Sequence, residues 1–336
     1  MKGTCVKSEF LTINYRNDVN ASDNYVELGT SPRAVGDIAS DIVSKSLRNK
    51  IVSKLGDYAD EFIKAIDGDA DLAKLLLKNE DEVLQISSTL LDQGRTSLFK
   101  QPDALSAFGT IKKRSSKSLD QLGLTDEALA KIQGHSKASF ANVLEDLNTF
   151  ILKLDNTPNT KVEEFTSNIL NKLQLKGNNS NKVQGAHGVV KALSDEFDLL
   201  KNKTVKFEIA VDNMRGNKSF DDMTVEITTY NGTQVAKKIE VKNCENCVTA
   251  KTIKEQFIER DLFSATSLNQ LRWRIYGQNF TKENFAKMLK ENKEIIIKLP
   301  ANKLMNFFRI DISKGEKITD SIIQRFVNEN YNKIFN

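Results

Sequence analysis

The sequence is short of cysteine and histidine and has no long apolar run. Its three cysteines exclude a disulfide framework. Cys244 and Cys247 form one CxxC and Cys5 stands far from both; with only His135 and His187 to add, spacing does not assemble the four ligands of a structural zinc site. The plain reading of the CxxC is two small side chains in the loop after a strand. A disulfide between them is the alternative for an exported protein. No stretch approaches the roughly 20 apolar residues that span a bilayer. The start, MKGTCVKSEFLTINYRND, has no apolar core of a signal peptide. The expectation is a cytosolic protein or a piece of a longer secreted polypeptide.

What is present is a globular composition, 39% hydrophobic and 28% charged over 336 residues, which excludes a disordered chain and allows two domains. The net charge of +4 is unevenly spread. Residues 181–336 hold 26 Lys and Arg against 20 Asp and Glu, whereas residues 1–180 hold 23 against 25. The positive excess therefore lies in the C-terminal half, which fits a phosphate-binding surface and also a solvated Lys-rich face.

The hydrophobic period divides the chain in the same place. In residues 1–34, CVKSEFLTINY reads as a short strand and SPRAVGD as a turn and helix start. From Val35 the period is helical: Ile38, Ile42, Leu47, Ile51, Leu55 and Phe62 recur about every fourth residue. Helices continue through Pro102, which opens DALSAFGTI, through Thr125 as the N-cap of DEALAKI, and through SFANVLEDLNTFILKL and VEEFTSNILNKL. GNNSNK, Gly177 to Lys182, reads as a linker. After it come a helix (GAHGVVKALSDEFDLL) and three strands, TVKFEIAV, DDMTVEITTY and QVAKKIEVKN. Asn231-Gly232 is a hairpin turn signal between the last two. Helices over TAKTIKEQFIERDLF, SLNQLRWRIYG and ENFAKMLKEN, a buried strand EIIIKLP and a helical tail complete the chain. The expected fold is mixed. An all-α array at 1–180 precedes an α/β domain at 181–336 made of a helix, a three-stranded antiparallel meander, helices and a further strand.

Glu240 and Lys242 lie two apart on a strand and so share a face, while Ile239 and Val241 take the other. Nine residues separate Asp222 from Asn231 and eight separate Gly232 from Glu240, so a nearly symmetric hairpin, give or take a bulge, aligns the two acids. Asp221 is the alternative, because a slip of one residue exchanges the faces. Two carboxylates can hold Mg²⁺, a hard cation that keeps several waters, and a nearby lysine can orient a bound water. The bland reading is a charged solvent face of a hairpin.

The order of elements around that trio resembles the PD-(D/E)XK nuclease core. The local motifs are similar to the nuclease toxin domains of polymorphic secreted proteins in Bacteroidetes: Gly185-Ala186-His187, Asp222-Met223-Thr224-Val225, Glu240-Val241-Lys242, Arg260-Asp261-Leu262-Phe263 and Ser267-Leu268-Asn269-Gln270-Leu271-Arg272-Trp273. Upstream, FKQPDALSAFGTI resembles their helical stretch, with Phe108 where the pattern has Trp. The resemblance implies Asp222 and Glu240 as ligands of Mg²⁺ or Mn²⁺ and Lys242 as the residue that assists the water. It implies Gln270, or less directly Gln256, as a helix residue facing the scissile phosphate. His187, Arg272 and Arg274 are then candidates for substrate contact, and Trp273 for stacking or core. It further implies a DNA or RNA substrate, an antibacterial toxin delivered as part of a larger polypeptide, and a cognate immunity protein. The rivals are a non-catalytic binding module on the same fold and an intracellular DNA-processing nuclease.

Overall fold

The computed structural model describes residues 43–229 and 232–335. The expected strand over CVKSEFLTINY, the turn in SPRAVGD, Ile38, Ile42 and Asn231 of the expected turn lie outside them. The first described helix of the array is α1 (Lys45–Leu55), which buries Leu47, Ile51 and Leu55 at the spacing the sequence shows, with Ser44 accepting from the Leu47 N–H as its cap. Further on come α2 (Glu80–Asp92) and α3 (Pro102–Lys112), the latter with proline at its first position. The longest helix of the array is α4 (Phe140–Asp155). Ser139 and Asn142 cap it reciprocally, and it buries Val143, Leu144, Leu147, Phe150, Ile151 and Leu154.

Helix α5 (Ser180–Asp195) starts inside the segment read as a linker and packs on α4 and on the sheet. Among the described residues five strands follow the order β1-β2-β3-β4-β5 in one mixed sheet. They are β1 (Lys161–Val162), β2 (Thr204–Asp212), β3 (Lys218–Thr229), β4 (Gly232–Asn243) and β5 (Leu271–Tyr276). β2/β3 and β3/β4 are antiparallel, and β1/β2 and β4/β5 are parallel.

The fifth strand is a correction. LRWRIY, read as helix, is β5: Leu271, Trp273 and Ile275 alternate with Arg272 and Arg274, a period of two that a strand against β4 buries on one side. EIIIKLP, read as a buried strand, is a short helix over Lys293–Ile296 and a turn, with Ile296 buried and Ile297 exposed. A short apolar run fits either state, and packing decides. The segment after β4 is helical as expected, but Ile253–Leu262 is wound as a π-helix. Helices α6 (Lys282–Glu291) and α7 (Asp320–Phe335) pack on each other, and α7 also packs on β5.

Among the described residues two apolar clusters form the core. The first runs from Leu47 to Val241 without a break at residue 180, so the helical array, α5 and one face of the sheet share a core. The second runs from Val248 to Ile334 and takes in Leu271 and Trp273. β4 lies between them. Ile239 and Val241 belong to the first cluster, and Lys238, Glu240 and Lys242 alternate with them.

Candidate active site

The β3/β4 ladder is closed at the turn by Thr229↔Gly232, and unbroken pairing from there would bring Ile239 opposite Asp222. It does not stay unbroken: the register steps between Val225↔Lys237 and Glu226↔Val235, leaving Ala236 as one extra residue on β4. Beyond the bulge Met223 pairs with Ile239, so the next position outward is Asp222 opposite Glu240. Here the strands part. Oδ2 of Asp222 accepts from the Val241 N–H at 2.7 Å and so takes the place of a backbone partner. On β2, Glu208 falls opposite Asp222 and has φ of +51°, a left-handed backbone held inside a strand beside the candidate site.

Around this point seven charged side chains converge. Lys242 Nζ donates to Glu240 Oε1, and Arg260 Nη2 reaches Glu240 Oε2 at 2.6 Å. Arg260 also donates through Nε to Asp261 (2.6 Å) and through Nη1 to the Phe220 carbonyl (2.8 Å), and it lies 3.6 Å from Asp221. Lys238 stands 3.3 Å from Asp221 and donates to Ser264 Oγ. Asp261 accepts the Trp273 indole N–H at 2.7 Å, and the Lys242 ammonium sits 5.9 Å from the centre of that ring. The face is therefore not a solvated one: Glu240 is only 3% exposed. The π-helix lies over it and brings Arg260 and Asp261, which the sequence shows as an adjacent ion pair between Ile258 and Leu262 but to which its reading gave no role.

Four carboxylates (Asp221, Asp222, Glu240, Asp261) meet three cations (Lys238, Lys242, Arg260), one positive charge short. The carboxyls of Asp221, Asp222 and Asp261 are all raised, by burial first. Burial, and then the charge of Glu240, push that of Asp222 up to about 7 against the pull of Lys242, the Val241 N–H and Arg260. Burial works against charge on Lys242 too, but Glu240 and Asp222 outweigh it and hold the ammonium above its ordinary range. Asp221 is raised, mainly by burial, against the pull of Lys238, the ion-pair partner of its Oδ2, and of Arg260.

The other candidates are placed elsewhere. Gln270 is a cap and not a residue of this cluster. Its Oε1 accepts from the Thr266 N–H at 2.9 Å and its Nε2 donates to the Val235 carbonyl at 2.9 Å, so the β3/β4 hairpin and the loop before β5 use its whole amide. Gln256 lies on the π-helix four residues before Arg260, with a buried Oε1 that has no hydrogen-bond partner. Arg272 and Arg274 alternate with Trp273 and so point to the opposite face of β5, where both donate through Nε to the buried Glu196. Trp273 is core. His187 is buried on α5 in contact with Asp146 and His135. Cys244 and Cys247 lie in the loop after β4, as expected, and are joined there as a disulfide, the alternative reading of the pair.

Among the described residues no group of three or more His, Cys, Asp or Glu side chains is arranged to hold a metal ion. Mg²⁺ takes as few as one or two protein carboxylates and retains water for the rest; of the two here, Glu240 is bonded to Lys242 and Arg260 and Asp222 to the Val241 N–H. No family model, curated protein or solved structure matches this chain.

Proposed function

We propose that this chain is a metal-dependent phosphodiester hydrolase whose site is Asp222, Glu240 and Lys242. Two observations support the reading: the bulged β3/β4 register, whose extension past Met223↔Ile239 sets Asp222 opposite Glu240, and the hydrogen bond from Lys242 to Glu240. Asp222 and Glu240 would hold Mg²⁺ or Mn²⁺, which supplies charge neutralisation at the phosphate and a more acidic bound water. Lys242 stabilises negative charge that develops during attack. Arg260 fixes Glu240 from the π-helix, and the indole of Trp273 limits where the Lys242 ammonium can go. The motif resemblance extends the proposal to a delivered antibacterial toxin with a cognate immunity protein, the basic C-terminal half favouring an acidic partner. Co-expression with neighbouring small reading frames tests that extension, and host toxicity that none of them relieves overturns it.

One observation favours a different reading. Both Glu240 oxygens already hold a cation, Lys242 on one and Arg260 on the other. A network closed in that way can serve a binding module that cleaves nothing. Incubation of the full chain with plasmid DNA and with total RNA, in Mg²⁺, Mn²⁺ or EDTA, separates the two. The hydrolase reading expects cleavage that EDTA abolishes and that Lys242→Ala reduces roughly a hundredfold or more, with substrate binding retained. Absence of wild-type cleavage with any divalent ion, or equal rates in Lys242→Ala, hands the site to the binding module.

A further inference from the structure

The only two histidines of the chain touch each other, away from the carboxylate cluster. His135 lies in the loop before α4, His187 on α5 and Asp146 on α4. The Lys137 backbone N–H donates to His135 Nδ1 at 3.2 Å, His135 Nε2 meets His187 Nδ1 at 2.8 Å, and His187 Nε2 meets Asp146 Oδ2 at 2.7 Å. The first contact fixes the rest. A backbone N–H can only donate, so His135 Nδ1 is bare and its proton is on Nε2. His187 Nδ1 then accepts, and its own proton on Nε2 goes to the carboxylate. With both rings neutral every contact joins a donor to an acceptor. Any added proton leaves one donor facing another, at Lys137 or between the rings.

We propose that Asp146, His187 and His135 form an acid-released latch, which holds residues 133–139 against α5 while both rings are neutral and lets them go when the pair takes up a proton. The loop is a strap between parts of the molecule. Lys137 reaches Glu245 Oε1 at 2.5 Å, inside the disulfide loop that follows β4, and Gln133 N–H bonds the Leu173 carbonyl at 2.8 Å. The charged groups around the pair come from each packed element: Asp146 from α4, Lys191 from α5 at 3.6 Å from Asp146, Lys137 from the loop and Glu245 from the end of β4. Burial disfavours a charged Asp146, but the His187 bond and Lys191 outweigh it and keep the carboxylate below its ordinary value. Burial and then the neighbouring His187 push His135 down to about 4. A released histidine titrates near about 6.5. The open loop thus binds more protons than the latched one between those values, and latching is strongest above the window and weakens as pH falls through it.

Two histidines give two ring signals, so ¹⁵N spectra of the labelled full chain read the latch directly. At about pH 7.5 both rings are expected as the Nε2–H tautomer, and on acidification they change together as amide protection over residues 133–139 falls by up to about tenfold per pH unit, the limit for one proton. His135→Gln keeps the donor and acceptor order, with its amide nitrogen toward His187 and its oxygen toward Lys137, but does not titrate. It is expected to retain that protection in acid. Tautomer averaging at neutral pH, independent titration of both rings near about pH 6.5, or equal acid loss in His135→Gln each overturn the latch.

Discussion

At the scale of single residues the molecule turns on Arg260. Its guanidinium spans Glu240, Asp261 and the Phe220 carbonyl, three directions that a planar fork satisfies and an ammonium does not. Asp261 and Glu240 raise its affinity for the proton against the cost of burial, so it is a fixed charge at every working pH. Arg260→Ala strands two buried carboxylates and is expected to lower stability by about 3–5 kcal/mol, and Arg260→Lys by less. Urea midpoints with unchanged slopes measure this, and wild-type midpoints in both variants would remove Arg260 from its place at the centre of the cluster. Of the proposed site, the shared face of Glu240 and Lys242 was legible because strand alternation needs no tertiary knowledge, while hairpin counting brought Asp222 to Glu240 only to within one residue. Arg260 and Asp261 were visible as a charged pair in an apolar stretch, yet what they touch depends on how the π-helix crosses the sheet, and no local period encodes that. Gln270, Arg272 and Arg274 were misplaced for the same reason. Their partners, Val235 and Glu196, are distant in sequence.

At the scale of elements, the helical array and the strands β2 to β4 follow from period and caps. β5 was legible as well, since leucine, tryptophan and isoleucine alternate with arginine, but the helical segments on either side drew it into their reading. Ala236 carries information that no pattern shows: one extra residue on β4 decides whether an acid or Ile239 faces Asp222. The contact of α5 with β4 turns on another small detail. A Cβ built on Gly188 would come 2.5 Å from the Cβ of Asn243, whose amide donates to the Gln184 carbonyl at 2.7 Å. Gly188→Ala is therefore expected to push the end of β4 from the helix and cost about 1–3 kcal/mol despite its better helix propensity. A melting temperature at or above wild type would mean that the contact yields freely.

At the scale of the whole molecule, the two apolar clusters meet across β4, and the first takes its residues from both halves of the sequence. Removing residues 1–180 takes away Phe165, whose ring meets that of Phe207 edge-on, and α4, on which α5 packs. Residues 181–336 alone are expected to lose cooperative unfolding, bind a hydrophobic dye and aggregate, whereas the full chain melts sharply. A single sharp transition for the shorter chain, seen alike by calorimetry and circular dichroism, would show that the sheet stands without its helical cover.

The chain has one tryptophan, and it stands inside the charge cluster: Trp273 is fully buried, its indole N–H held by Asp261 and its ring faced by an ammonium and by Phe257. Light absorbed near 295 nm, a wavelength at which only tryptophan takes it up appreciably, therefore reports on that cluster and on the aromatic core against it, where Phe257 and Phe335 meet the ring. An ion that draws Lys242 away, a broken bond to Asp261 or water entering beneath the π-helix each alters the emission of one ring, with no label attached and no second tryptophan to dilute the signal.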